Sequence, residues 1–235
     1  MSILIIADRH DVHADLVGRK LVDAGVSVCR LDVDMESLES TNLTFLPEGD
    51  IAVTSEIGEW ALSEVSAIYG RKVFIEKPVH DPDATTPIEE VIWSSSWRSA
   101  IFNLLATADE REIPTFPRYR DAVRGEIKTY QRTAAKRAGL SVPKSIVSNS
   151  HQELTEFFNA CSRCVIKPLN QDFFIEGDKR KGIYVNLIEA EDLDQLTGPG
   201  HHPIMLQEYI EKSFEVRITS VGGQHFACRI DSQSS

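Results

Sequence analysis

Arg163-Cys-Val-Ile-Lys167-Pro-Leu169 and, further along, Pro203-Ile-Met-Leu-Gln207-Glu208-Tyr209-Ile210-Glu-Lys212 decide how this chain is read. Cys164 to Ile166 has the length and β-branched character of a buried strand, and it ends on a lysine. The second run, Ile204 to Leu206, closes on Gln-Glu-Tyr-Ile. Two such strands would suit a clamp on a nucleotide between two sheets. Lys167 would bring a positive charge to phosphates, and the main chain of Glu208, Tyr209 and Ile210 would meet a purine edge with N–H and C=O groups. Taken by itself, the commoner origin of the first run is an ordinary core strand whose lysine reaches to water. The rest of the chain shifts that balance.

Composition narrows the classes. The chain has 235 residues, 42% of them hydrophobic and 26% charged, which is material for one large or two modest globular domains. Lys+Arg 25 against Asp+Glu 36 gives −11, so nucleic acid is not an expected partner, because binding a phosphate backbone needs a net basic face. A nucleotide site needs only a local cluster of basic residues. Among Cys29, Cys161, Cys164 and Cys228, the pair Cys161-Ser-Arg-Cys164 has CxxC spacing. With no second Cys or His pair to match it, packing is the better reading. Reduced thiols, no signal peptide and no apolar run of roughly eighteen residues lead us to expect a cytoplasmic protein without a membrane partner.

Ile3-Leu-Ile-Ile-Ala7 is a continuous apolar run, the pattern of a strand buried on both faces. Apolar residues at helical spacing from His13 to Ala24 follow it, then Gly25, then a second strand from Val26 to Leu31. This β-α-β order predicts a parallel α/β layer. Asp8-Arg9-His10 lacks the glycines of a dinucleotide fingerprint, so the layer is expected to be a scaffold. Short strands are predicted at 43–45, 51–53 and 67–69, continuing through 71–74, with a loop over 77–87. A long helix is predicted over 88–108, with Trp93 and Trp97 on one core-facing side.

Pro114 and Pro117 mark a linker, and 122–139 reads as a helix that stops at Gly139 ahead of Pro143. Beyond it the pattern is strand 145–147, helix 152–160, strand 164–166, a loop, strand 182–187, helix 190–196 and strand 204–207. Arg217 and Arg229 fall on two further strands. Glu215 precedes Arg217 by two residues, so the pair shares a face and the two charges are free to pair with each other.

Val165-Ile-Lys-Pro-Leu169, Gln207-Glu-Tyr-Ile210, Phe214-Glu-Val-Arg-Ile-Thr219 and Phe226-Ala-Cys-Arg-Ile-Asp-Ser-Gln233 together resemble an ATP-grasp ligase. More closely, the chain is similar to the maturases that cyclise ribosomal peptides of the microviridin type, the graspetide synthetases. The resemblance runs along essentially the whole chain, and its ATP-grasp motifs are firmer than its peptide-maturase ones. It implies an α/β (α+β) fold: an N-terminal pre-ATP-grasp parallel α/β domain over 1–120 and an ATP-grasp domain over 121–235. A lid subdomain over about 145–210 would close on the nucleotide.

The resemblance also implies roles. Lys128 and Lys167 would hold the phosphates of ATP, and Glu208, Tyr209 and Ile210 would frame the adenine, the Glu208 carbonyl accepting from the exocyclic amine. Arg217 and Arg229 would be catalytic, a guanidinium being able to fork onto carboxylate or phosphate. In relatives a hairpin and a helix hold the leader of the precursor peptide, which assigns Asp172, Lys179, Arg180 and Lys181 to substrate binding. On their own, Lys179-Arg-Lys181 are equally phosphate helpers or a solvated hairpin tip.

The implied reaction is ATP-dependent joining of Asp or Glu side chains of a precursor peptide, leader and core, to hydroxyl or amino groups through an acylphosphate. A homodimer is implied too. One departure stands out. The family's Mg²⁺ ligands, an acidic residue and then Glu-x-Asn, have no counterpart before Ser235, and Asp231 is a lone acid, so no metal ligand is assigned and C-terminal strands are expected to be missing. Two alternatives stay open: a ligase acting on a small-molecule carboxylate, and a truncated relative that binds nucleotide or peptide without turnover.

Overall fold

The computed structural model describes residues 1–71, 73, 87–169, 173–176, 179–182, 185–196 and 202–231, with the backbone alone at 173–176, 179–182 and 196. Contacts divide the chain into two compact units, Met1–Ala134 with Asp172–Gly182, and Ala135–Gln171 with Ile183–Ser235.

The first unit opens with β1 (Ser2–Ala7), α1 (Val12–Asp23) and β2 (Val28–Asp32). The expected parallel layer is present. β1 lies between β2 and β6 (Val65–Gly70) and pairs in parallel with both. Its alternation explains the unbroken apolar sequence. Leu4 and Ile6 enter the main core with Leu31, Ile68 and Leu104, while Ile5 and Ala7 enter a second cluster with Ala14, Val17 and Leu21. Asp11 caps α1, accepting from the N–H groups of His13 (3.0 Å) and Ala14 (2.9 Å), a cap that contributes about 1 kcal/mol.

Between β2 and β6 come α2 (Met35–Glu39) and a three-stranded antiparallel sheet, β3 (Asn42–Phe45), β4 (Ile51–Ser55) and β5 (Gly58–Ala61). Trp60 of β5 buries its ring in the main core and satisfies its indole N–H on the Arg30 carbonyl at 3.3 Å. The strand predicted to run on through 71–74 ends at Gly70. The Arg71 N–H still reaches the Ile6 carbonyl at 2.8 Å, whereas Lys72, Phe74 and most of the predicted loop lie outside the described residues.

The predicted long helix is α3 (Ile88–Glu110), with Trp93 and Trp97 edge to face at 6.3 Å and both packed on the main core. The linker marked by Pro114 and Pro117 contains β7 (Thr115–Phe116), which pairs in parallel with β6. The single helix expected over 122–139 is two helices, α4 (Tyr119–Glu126) and α5 (Lys128–Arg137), because Ile127 takes extended backbone angles between them. Gly139 ends α5 as expected. It sits at φ +79°, where a Cβ would be strained, and the Leu140 N–H closes back on the Ala135 carbonyl at 3.0 Å.

The second unit is built on an antiparallel sheet of order β12-β9-β13-β8, from β8 (Ser145–Ser148), β9 (Cys164–Lys167), β12 (Asn186–Ile188) and β13 (Ile204–Glu208). The strand expected over 182–187 is therefore split: β12 begins at Asn186, and Gly182 belongs to an earlier hairpin, β10 (Phe173–Glu176) with β11 (Lys179–Gly182). Helices α6 (His151–Asn159) and α7 (Ala190–Leu196) cover one face of the sheet. Leu154, Leu193, Cys164, Ile188, Ile204 and Leu206 form that core, with Ile146 and Ile166 against it. Last come β14 (Glu215–Val221) and β15 (Gln224–Ile230), joined by Gly222 and Gly223, both at positive φ as a two-residue I′ hairpin turn demands.

Candidate functional site

The register of β9 against β13 fixes which side chains share a face. Lys167 stands opposite Met205 and Val165 opposite Gln207, and the Tyr209 N–H donates to the Arg163 carbonyl at 2.9 Å. These six positions alternate with Cys164, Ile166, Leu206 and Glu208, so they lie on the face turned away from α6 and α7. Lys167, Gln207 and Tyr209 are thereby aligned on one surface of the sheet, each half-buried, and Ile210 just beyond is exposed. The Arg163 guanidinium lies over the Tyr209 ring, 4.3 Å from its centroid, and holds that ring at the strand end.

Glu208 is set apart by its partners. Its N–H donates to the Lys144 carbonyl at 3.0 Å, and its carboxylate accepts from the Lys144 N–H at 3.3 Å. The β9–β13 pair thus carries one half-buried lysine on the face away from α6 and α7, and main chain whose pairing is irregular at the end of β13. That combination suits a flat heterocycle with a polyanionic tail.

The other sequence-derived site residues are placed as follows. Lys128 is half-buried at the head of α5. Lys179, Arg180 and Lys181 lie within β11, paired with Glu176, Ile175 and Phe174. Asp172 lies outside the described residues.

Arg217 and Arg229 are exposed on the β14–β15 ribbon, where Arg217 stands opposite Cys228 and Arg229 opposite Val216. Directly opposed residues share a face, so the two arginines project from opposite faces and the structure does not bring them together. Glu215 pairs with Lys212, and Arg229 donates to Asp231 at 2.8 Å while stacking on the Phe214 ring at 4.5 Å.

Sequence reasoning gave no role to Lys144 or to the Arg163 side chain. Pro143-Lys144 immediately before a predicted strand was the only signal for Lys144, and its contact with Glu208 depends on register. The CxxC pair is structural. Burial, the hydrogen bond with Cys161 and the nearby Glu208 charge push the Cys164 thiol up to about 12, so it stays protonated at neutral pH and is a poor nucleophile or metal ligand. Among the described residues no group of three or more His, Cys, Asp or Glu converges, and Asp231 is engaged by Arg229; a Mg²⁺ that arrives with ATP would need only one or two carboxylates beside the phosphates.

The amino-terminal layer has the form of a ligand-binding crevice, since the chain leaves β1 toward β2 on one side and β6 lies on the other. The end of α1, where a phosphate would sit, is occupied by Asp11, itself held by Arg71 through Nε contacts of 2.8 and 2.9 Å. No helix among the described residues is long and apolar enough to cross a membrane.

No protein-family model and no curated protein matches the sequence. Solved structures do. The crystal structure of the macrocyclase MdnC from Microcystis aeruginosa MRC, bound with the precursor peptide MdnA, superposes with a TM-score of 0.83 at 24% identity, over 99% of this chain and 76% of that one. The Chryseobacterium gregarium RiPP-associated ATP-grasp ligase, in complex with ADP and a leader and core peptide, gives 0.77 at 21% identity, over 100% and 71%. The ATP-grasp ligase PsnB with minimal precursor, Mg and ADP gives 0.63 at 18% identity, over 92% and 68%. The chain has the ATP-grasp fold, with a parallel α/β layer ahead of the antiparallel sheet that carries Lys167 and Glu208.

Proposed function

We propose that this chain is an ATP-dependent ligase that closes rings in a ribosomally made precursor peptide. The observation that carries the reading is the alignment of Lys167, Gln207 and Tyr209 on the face of the β9–β13 pair turned away from α6 and α7, with the irregular strand end at Glu208. The likeness to macrocyclases and peptide-bound ATP-grasp ligases supports the choice of substrate.

In this reading Lys167 neutralises charge that moves among phosphate oxygens, and Lys128 is a second such amine on the strength of the resemblance. Glu208, Tyr209 and Ile210 receive the adenine. A peptide Asp or Glu carboxylate takes the γ-phosphoryl group, leaving ADP. A hydroxyl or amine of the same peptide then attacks the acylphosphate, phosphate departs with its bonding electrons, and the nucleophile's proton is released. Arg217 or Arg229 is suited to orient the carboxylate or phosphate, one from each face of the ribbon. Asp172, Lys179, Arg180 and Lys181 are assigned to the leader of the peptide.

Mg²⁺ belongs with ATP chemistry of this kind, and PsnB is described with it. Bound with ATP it would be held by phosphate oxygens and one or two carboxylates, and it would neutralise phosphate charge. A homodimer, a cytoplasmic location and a boundary near residue 120 between the pre-ATP-grasp and ATP-grasp domains complete the proposal.

The test is incubation of the full chain with ATP, Mg²⁺ and a candidate precursor containing Asp or Glu beside Ser, Thr or Lys. Loss of one water per ring by mass spectrometry, matched by ADP formed, supports it. ADP release driven by free carboxylic acids and not by peptide would make it a small-molecule ligase instead. Nucleotide binding with neither outcome would leave a binding protein.

A further inference from the structure

Helix α3 carries two apolar faces, and one of them is uncovered. Ile101, Leu104, Leu105 and Ala108 lie in the main core. On the opposite side stand Ile88, Ile92, Ser95, Ser99, Phe102 and Ala106, all exposed, with Ile88 63%, Ile92 57% and Phe102 51% open to solvent. Their spacing alternates between four and three residues, the heptad pattern that keeps side chains in one line, here along about 27 Å of helix. None of the six is charged, in a chain whose net charge is −11. A helix that is apolar on both sides belongs inside a larger body. The seam is also complementary to itself. Turned end for end about a two-fold axis midway between Ser95 and Ser99, it sets Ile88 opposite Ala106, Ile92 opposite Phe102 and Ser95 opposite Ser99. Serine on serine lets the backbones approach at the centre, and the larger pairs close on either side. The Ser95 hydroxyl donates to the Ile92 carbonyl at 3.0 Å, so its oxygen is open to accept from the opposing Ser99 hydroxyl. The Tyr119 ring, edge to face with Phe102 at 5.5 Å, steadies that side chain without covering it.

We propose that this seam is the interface through which two copies of the chain pair, α3 lying antiparallel on α3. A second copy is the partner that fits, because a two-fold contact is isologous and needs a surface that matches itself. At a net charge of −11 two copies repel wherever charged faces meet, and an uncharged seam lets them approach without that cost. The area agrees. An aromatic side chain buries roughly 150–250 Å² when fully enclosed. Half-exposed Phe102 and the five residues in line with it therefore remove on the order of 1,000 Å² over two copies, the lower edge of a specific interface. Such a dimer dissociates on dilution. The inference gives the homodimer of the proposed function its contact surface and rests on no part of the ligase chemistry.

The experiment is sedimentation velocity of the full chain over a range of concentrations, for the wild type, Ser95→Lys, Ser99→Glu and an equal mixture of the two variants. The wild type shows a dimer that dilutes to monomer. Each variant alone buries an unpaired charge beside a serine and raises the dimer dissociation constant at least tenfold. The mixture recovers to within a few fold of the wild type, because the antiparallel register sets the new lysine of one chain against the new glutamate of the other, which a parallel register does not. Ile92→Gln, which removes apolar area without adding charge, weakens the dimer as well and decides the matter should a charged variant not fold. A dimer indifferent to these substitutions overturns the inference and leaves the homodimer to another surface. Variants that weaken the dimer without recovery on mixing overturn the antiparallel pairing. A wild type that is monomeric at every concentration removes homodimer and interface together, and a rise in mass only when precursor peptide is added would give the seam to the peptide. Ring formation, read separately by mass spectrometry, stands or falls independently of all of these.

Discussion

Arg163 holds Tyr209 twice, through its carbonyl, which accepts the Tyr209 N–H at 2.9 Å, and through its guanidinium, 4.3 Å from the ring centroid. The first contact survives any substitution at 163 and the second does not. Arg163→Ala should therefore leave the sheet intact and cost about 1 kcal/mol of nucleotide affinity, the size of an exposed cation–π contact. Calorimetry checks this, and unchanged affinity would show that the Tyr209 ring needs no support.

Lys167→Ala should weaken ATP binding at least tenfold while the far-ultraviolet circular dichroism stays as in the wild type. Adenosine binding should change little, because the amine is assigned to phosphate and not to the base. Equal losses for ATP and adenosine would move Lys167 out of that role.

Replacing Lys179, Arg180 and Lys181 together by glutamine should reduce capture of a precursor leader more than of ATP, and the leader affinity of the wild type should fall as salt rises. Fluorescence anisotropy of a labelled leader reads both. Because these residues lie in a strand, strand addition by peptide main chain is the competing mode. Leader affinity that ignores both salt and the triple substitution would favour it.

Arg217 and Arg229 occupy opposite faces of the ribbon. If both contribute to ring closure they act on different groups, so the losses in Arg217→Ala and Arg229→Ala should add to within about 0.5 kcal/mol in the double variant. A coupling well beyond that would mean the two meet on one oxygen.

Asp11 is buried, 8% exposed, and charged. Burial alone would raise its pKa. The Ala14 N–H, the Arg71 guanidinium and the His13 N–H together outweigh that and hold it below its ordinary value of 3.8. A carboxylate depressed on folding contributes stability above its unfolded pKa and loses it as pH falls through the folded one. Stability should therefore drop below about pH 4, and the drop should be smaller in Asp11→Asn, which keeps a capping oxygen without the charge. Arg71→Ala, which strands the carboxylate, should cost about 3 kcal/mol by urea unfolding at neutral pH. A pH profile identical in wild type and Asp11→Asn would exclude Asp11 as the titrating group.

The elements that were legible in the sequence are those set by local pattern. The unbroken run Ile3 to Ala7 requires apolar neighbours on both sides, and the two clusters that share β1 supply them. Gly139 marks a helix end because few other residues tolerate its φ. What the sequence withheld is non-local. Nothing in 122–139 marks Ile127 as a break, since isoleucine is an acceptable helix former. β7 is only two residues long, and its pairing with β6 is what defines it. The basic run 179–181 reads as a tip by composition, while cross-strand register puts it inside β11.

The site shows the same division. Lys167 at the end of an apolar run and Gln-Glu-Tyr-Ile at the end of another were visible as motifs. That Lys167, Gln207 and Tyr209 share a face follows from a strand register that no single motif contains. The Lys144 contact and the opposed faces of Arg217 and Arg229 likewise emerge only once strands are in register.

The amino end of α1 is plugged from within by Asp11, on a topology that elsewhere receives anions. Trimming it to Gly would leave the His13 and Ala14 N–H groups without their acceptor and open to an anion supplied from solution.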